Sequence, residues 1–167
     1  MTPAPRPTLI VVSGMSGSGK SVALRTLEDL GYYCVDNLPA ELLTSFVQSM
    51  AHAQTPRGQL AVSIDVRNLA EDLSRIGHWL SSVAELGYDH QLIFFDTVDA
   101  VLVKRYSDTR RRHPLSSLGL ALSDAIALER ERLRPLRALA DTLIDTSELN
   151  VHQLRKAVLN GLEQGIA

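Results

Sequence analysis

The chain has 167 residues, 45% of them apolar and 22% charged, with a formal net charge of −2. That is the make-up of one ordinary globular domain, and a charge so near zero gives no global attraction to nucleic acid or to an anionic membrane. A single cysteine, Cys34, excludes an internal disulfide, as expected for a reducing cytoplasm, and no stretch is apolar for long enough to span a membrane.

The average hides an asymmetry. Between Lys104 and Arg137 nine basic residues face four acidic ones, a net of +5, which leaves −7 for the rest of the chain.

Residues 1–8, MTPAPRPT, are proline-rich without an apolar signal core behind them and read as a disordered tail, so the domain is expected over 9–167. Residues 9–13 form a buried strand that breaks into Gly14-Met15-Ser16-Gly17-Ser18-Gly19-Lys20-Ser21. This is G-x-x-x-x-G-K-[ST], the P-loop that wraps a nucleotide's phosphates. Its glycines let backbone N–H groups approach the phosphates with no Cβ in the way. Lys20 is expected to reach the β- and γ-phosphate oxygens, and the Ser21 hydroxyl to ligate Mg²⁺. Val22, Ala23, Leu24, Leu27 and Leu30 then mark a helix whose positive end faces those phosphates.

Gly31 fits a helix stop. Residues 32–35 read as a second strand, in which Cys34 is a buried structural thiol rather than a nucleophile. A helix begins near Pro39 and carries Leu42, Leu43, Phe46, Val47 and Met50; Thr55-Pro56-Arg57-Gly58 breaks it. Residues 60–66, LAVSIDV, are a third strand. Leu69, Leu73, Ile76, Leu80 and Val83 mark the next helix face, with Trp79 packing at its edge and Gly87 ending it.

Residues 91–96, QLIFFD, are a fourth strand, after which Thr97 is the expected N-cap of a helix carrying Val98, Val101, Leu102 and Tyr106. A charged loop over 108–114 contains Arg110-Arg111-Arg112-His113. Residues 122–139 read as a helix with Pro135 near its end, and 142–145 as a fifth strand. Asn150 with Gln153 starts a last helix as a capping box.

Strands alternating with helices predict an α/β domain: a three-layer P-loop NTPase fold, nucleotide-kinase-like, whose five-stranded, mainly parallel sheet carries helices on both faces. Ligands of such sheets bind beyond the carboxyl ends of the strands. The candidates there are Asp36-Asn37, Asp65-Val66-Arg67-Asn68, Asp96-Thr97 and Asp145-Thr146-Ser147. Mg²⁺ asks for a carboxylate opposite Ser21. Asp65 and Asp96 each end an apolar strand, and Asp65 is preferred because its strand is expected beside the P-loop strand, whereas Asp96 reads as a cap.

Lys20 and Asp65 are thus the catalytic candidates, with Ser21 and Asp65 as metal ligands. Arg67 reads equally as a phosphate contact or a surface ion pair, and Asp36 as an Asx turn rather than a ligand group. Arg110-Arg111-Arg112-His113 lies where small P-loop kinases carry a mobile lid; its arginines suit a transferring phosphoryl group, an RNA backbone or plain solvation.

The strings VSGMSGSGKSVALRTLEDLGYYCVDNLP, VSIDVRN, KRYSDTRRRHPLS and LIDTSELNVHQL, in this order and spacing, resemble the RapZ/YvcJ family of bacterial P-loop proteins, over nearly the whole chain. The resemblance implies a protein that binds and slowly hydrolyses ATP and GTP. It makes Gly14 to Ser21 the ATP-type site and matches Asp65, Val66, Arg67 and Asn68 to the family's GTP-associated motif. In some bacteria the family acts as an adapter that presents a small regulatory RNA to an endonuclease, an activity tied to a C-terminal domain. That domain is expected to be absent here, so RNA and RNase contacts are not assigned to these residues.

The leading expectation is a cytoplasmic nucleotide-binding regulatory module with ATP or GTP and Mg²⁺ as ligands, with a homo-oligomer left open. The alternatives are a small-molecule or nucleotide kinase, which the bare fold pattern favours, and an RNA-binding adapter using the basic region 104–137.

Overall fold

The computed structural model describes residues 6–53, 58–65 and 73–165, with side chains over 6–53, 58–65 and 74–162. Its strands are β1 (Thr8–Gly14), β2 (Tyr33–Val35), β3 (Gln59–Ser63), β4 (Asp89–Asp96) and β5 (Thr142–Asp145). They are joined by helices α1 (Lys20–Asp29), α2 (Leu43–Ala51), α3 (Ile76–Glu85), α4 (Asp99–Thr109), α5 (Leu122–Ala138) and α6 (Val151–Gly165). The sheet runs in the order β2-β3-β1-β4-β5 with every pairing parallel. The P-loop strand β1 is therefore central, and Val11 is paired with Val62 on one side and Leu92 on the other.

Burial on both faces explains why β1 reads as an unbroken apolar run rather than an alternating one. Leu9 and Val11 join Leu60, Val62, Ile64, Leu92 and Phe94 beneath α2, α3 and α5. Ile10 and Val12 join Ala61, Ile93, Phe95 and Ile144 beneath α1 and α6. The result is the three-layer sandwich of a P-loop kinase-like fold.

Local chemistry sets the ends of the helices. Gly31 (φ 95°) stops α1, its N–H donating to Glu28 O at 2.9 Å. Before α6 the Asn150 N–H donates to Gln153 Oε1 (2.9 Å) and the Gln153 N–H to Asn150 Oδ1 (2.8 Å), the reciprocal box that the sequence predicts. The Cys34 thiol is half-buried and hydrogen-bonded to Leu24 O; burial, with the charge of Glu28, pushes its pKa up to about 11. That is a structural thiol.

Several expectations need correction. Regular structure begins before residue 9: Thr8 lies in β1, and the Pro7 carbonyl accepts the Asp89 N–H at 2.8 Å. The third strand pairs only to Ser63, although the Ile64 N–H still donates to Val12 O. Trp79 is a core residue, only 7% exposed, with the Arg75 guanidinium 5.7 Å from its ring centroid. Thr97 does not cap α4. Val98 holds that place without a side-chain cap, because the Thr97 hydroxyl is bonded to that of Thr146 at 2.6 Å. The charged loop starts later than expected, since α4 continues through Thr109 and ends on Arg110 in the left-handed region (φ 55°). Leu69 and residues 55–57 fall outside the described residues.

Candidate functional site

The carboxyl end of β1 turns into the P-loop because two of its glycines tolerate what no other residue would. A Cβ on Gly14 (φ 144°) would lie 2.1 Å from the Phe95 carbonyl oxygen of β4, so the loop leaves the sheet in direct backbone contact with its neighbour. Gly19 (φ 109°) stands at the N-cap of α1 and brings no capping side chain. The first turn of α1 thus presents its backbone donors at the loop. Lys20 arches back over the loop, its Nζ donating to Gly14 O at 2.8 Å.

A cleft of about 520 Å³ opens over this loop. Its floor includes Ser16, Gly17, Gly19, Lys20 and Ser21, and Asp65 enters from the end of β3. Arg105, Tyr106 and Thr109 of α4 line the opposite wall with Arg111, Arg112 and Pro114. The strand order makes Asp65 a neighbour of the P-loop: β3 pairs directly with β1. Asp65 is 3% exposed and shares the cleft with the Ser21 hydroxyl. A carboxyl and a hydroxyl are the hard oxygen donors that Mg²⁺ takes alongside phosphate oxygens and water, so these residues fit the ion. Of the three lid candidates, Arg111 and Arg112 line the cleft and Arg110 does not; its backbone N–H closes α4 on Tyr106 O. Val66, Arg67 and Asn68 lie outside the described residues.

The three other strand-end aspartates are committed elsewhere, Asp145 locally, accepting the Ser147 N–H (2.9 Å) and hydroxyl (2.5 Å). Asp96 accepts the Thr97 N–H (2.8 Å) and the Arg130 guanidinium (2.7 Å), with Arg137 at 3.5 Å. Burial alone would lower the Arg130 pKa, but the hydrogen bonds and charges of Asp96 and Asp99 hold it above the ordinary value. Asp36 does not form the expected Asx turn. It accepts the Ser63 hydroxyl across the sheet (2.5 Å), while the Leu38 N–H goes to Ser63 O.

Arg105 and Glu129 escape the sequence reading, and His113, grouped there with the lid arginines, is buried instead. Arg105 reaches under the loop and donates to Gly17 O and Thr146 O, each at 2.8 Å, tying the P-loop to the end of β5. Glu129 is fully buried and holds Ser16 and His113. A signal for Glu129 exists: it falls at helical spacing between Ile126 and Leu133 on the apolar stripe of α5, the wrong place for a solvated glutamate. His113 follows the arginine run, yet it is 3% exposed.

A family model described as the RapZ-like N-terminal domain matches residues 8–164. The chain belongs to that family. Similar curated proteins include a nucleotide-binding protein of Stenotrophomonas maltophilia, 58% identical over 155 residues, covering 92% of this chain and 52% of the relative. Another, from Xanthomonas campestris, is 56% identical over 158 residues, covering 93% and 55%. The chain thus spans about half the length of the curated relatives it matches.

Among solved structures, a shikimate kinase from Bacteroides thetaiotaomicron superposes with a TM-score of 0.63 at 16% identity, covering 96% of this chain and 99% of that one. The APS kinase of Mycobacterium tuberculosis, in complex with AMPPNP and APS, gives 0.62 at 20% identity, with coverage of 96% and 99%. At such identities the likeness establishes the fold.

Proposed function

We propose that this RapZ-like domain is a regulatory nucleotide-binding module that binds ATP and GTP with Mg²⁺ and hydrolyses them slowly. The observation that carries this is the convergence of Lys20, Ser21, Asp65, Arg111 and Arg112 on one cleft above an uncapped helix N-terminus. Relatives more than half identical are named as nucleotide-binding proteins, which supports the same reading.

In this reading the α1 N-terminus and the loop amides hold the phosphates, and the Lys20 ammonium swings from Gly14 O to the β- and γ-oxygens. Ser21 and Asp65 would hold Mg²⁺, which when bound neutralises charge on the phosphate oxygens. Arg111 and Arg112 stabilise the charge that develops on the transferring phosphoryl group. Slow hydrolysis then asks only for a water held in line. Val66, Arg67 and Asn68 complete the proposed GTP-associated segment. Within a family member of the relatives' length such a module would make an RNA-presenting adapter nucleotide-responsive, the RNA and RNase contacts belonging outside these residues.

The fold favours a second reading, a small-molecule or nucleotide kinase. Turnover that needs an added hydroxyl or phosphate acceptor would select it. An RNA site on 104–137 has less support, because Arg130 and Arg137 face Asp96, Arg134 faces Glu131 and Arg105 is bonded to backbone carbonyls. A titration of Mg-ATP and Mg-GTP into wild type and Lys20→Ala tests the main reading. Binding should be lost in Lys20→Ala, and its retention there would overturn the assignment.

A further inference from the structure

The P-loop and the arginine segment approach the cleft from opposite sides, yet they meet behind it on one carboxyl group. The Ser16 N–H donates to both oxygens of Glu129, at 3.1 Å to Oε1 and 3.0 Å to Oε2, and the Ser16 hydroxyl donates to Oε2 at 2.5 Å. From the other side His113 Nε2 lies 3.0 Å from Glu129 Oε1. The donor is settled by the other ring nitrogen: His113 Nδ1 accepts the Leu115 N–H at 3.0 Å, so the hydrogen that faces Glu129 is on Nε2. Ser16, His113 and Glu129 are 9%, 3% and 0% exposed.

Glu129 does not line the cleft, while Ser16 does, and His113 directly follows the cleft residues Arg111 and Arg112. An apolar side chain would serve the α5 stripe as well or better, since a buried carboxyl is costly to desolvate. The packing alone therefore does not explain Glu129. What it holds does.

Resting on the nucleotide reading above, we propose that Glu129 is a positioning residue of the phosphate site. It clamps Ser16 and His113 together, so that the shape of the P-loop and the placement of Arg111 and Arg112 are set as one unit. A nucleotide that adjusts the loop at Ser16 then also moves the base of the arginine segment.

The test titrates Mg-ATP and Mg-GTP into wild type, Glu129→Leu and Glu129→Gln, with the thermal midpoint of each recorded separately. Gln is the conservative rescue: its carbonyl accepts the Ser16 and His113 N–H groups and its amide donates to the Ser16 hydroxyl. Glu129→Leu should weaken binding by the folded protein more than about fivefold and Glu129→Gln should stay within about fivefold of wild type, the scale of one to two hydrogen bonds. A Leu variant whose folded fraction binds as wild type, whatever its midpoint, overturns the proposal, and so does a Gln variant no better than Leu.

If Glu129→Leu does not fold, a cycle of Ser16→Ala and His113→Asn decides. Asn keeps an acceptor for the Leu115 N–H and loses the donor to Glu129. Losses that depart from simple multiplication by more than about threefold support the clamp, and losses that multiply within that margin overturn it. Wild type binding neither nucleotide would defeat the nucleotide reading and this one together, whereas normal wild-type binding with an indifferent Glu129 defeats this one alone.

Discussion

One basic stretch of sequence supplies two groups of arginines with opposite fates. Arg130 is closed in, with Asp96 and Asp99 each at 2.7 Å and the Thr97 carbonyl at 2.5 Å. Arg111 and Arg112 line the cleft that holds Lys20 and form no ion pair among the described residues. Both are arginines near acidic residues in sequence, and charge counting treats them alike. The difference is what the fold puts opposite each guanidinium. Carboxylates from the β4–α4 junction fix Arg130 as a brace between α5 and the sheet, while an open cleft leaves Arg111 and Arg112 available to a phosphate.

The largest expected effect lies at the open pair. In Arg111→Ala/Arg112→Ala, nucleotide turnover should fall about a hundredfold, or about 2.7 kcal/mol of transition-state stabilisation, while the denaturation midpoint holds. Steady-state phosphate release and a denaturant curve check the two halves. Unchanged turnover would reduce these arginines to surface charge.

Arg130→Ala should do the converse. It removes one guanidinium shared by Asp96, Asp99 and a carbonyl, and stability should drop by about 1–2 kcal/mol in a denaturant titration, Asp96 keeping the Thr97 N–H and Arg137 and Asp99 facing solvent. Its nucleotide affinity, measured well below the midpoint, should stay near that of wild type. A loss of affinity without a loss of stability would put Arg130 in the site and erase the contrast.

The two strand-end aspartates carry the same comparison at a smaller scale. Asp65→Asn should cut Mg²⁺-dependent turnover at least about tenfold, through weakened metal binding. Asp96→Asn keeps an acceptor for the Thr97 N–H but loses the charge facing Arg130 and Arg137, so about 1 kcal/mol of stability should go and turnover should remain. The reverse pattern would exchange their roles.

What was legible in the sequence divides along the range of the interactions. The P-loop is spelled locally: glycines at fixed offsets, then Lys20 and Ser21, between an apolar strand and a helical period. The five strands and the Asn150–Gln153 cap are equally local, and each fell within a few residues of its expected place. Strand order does not by itself choose Asp65 over Asp96, because β3 and β4 both pair with β1; they differ in that Asp65 lines the cleft while Asp96 is held by Arg130, and that long-range pairing is not written in the local sequence. Thr97 was misread because its hydroxyl is taken by Thr146, 49 residues away. Asp36 was misread for the same reason, its partner Ser63 being 27 residues on. The Glu129 clamp spans 113 residues to Ser16. Its trace in the sequence is one acidic residue on an apolar stripe, and that shows only once the helix phase is fixed.

Arg134 is the smallest case. It pairs with Glu131 at 3.0 Å, one helical turn away, but the side chains are 75% and 62% exposed. In water such a pair gains little Coulomb energy, loses rotamer freedom on both sides and is screened by salt. Arg134→Ala should therefore shift stability by no more than about 0.5 kcal/mol at low salt, and by less as salt is raised. It should leave nucleotide affinity alone. A salt-insensitive shift of the size expected for Arg130 would mean that this guanidinium is as firmly held as the half-buried brace, and exposure would no longer separate the arginines of α5. A change in affinity instead would bring the outer face of α5 into the phosphate site.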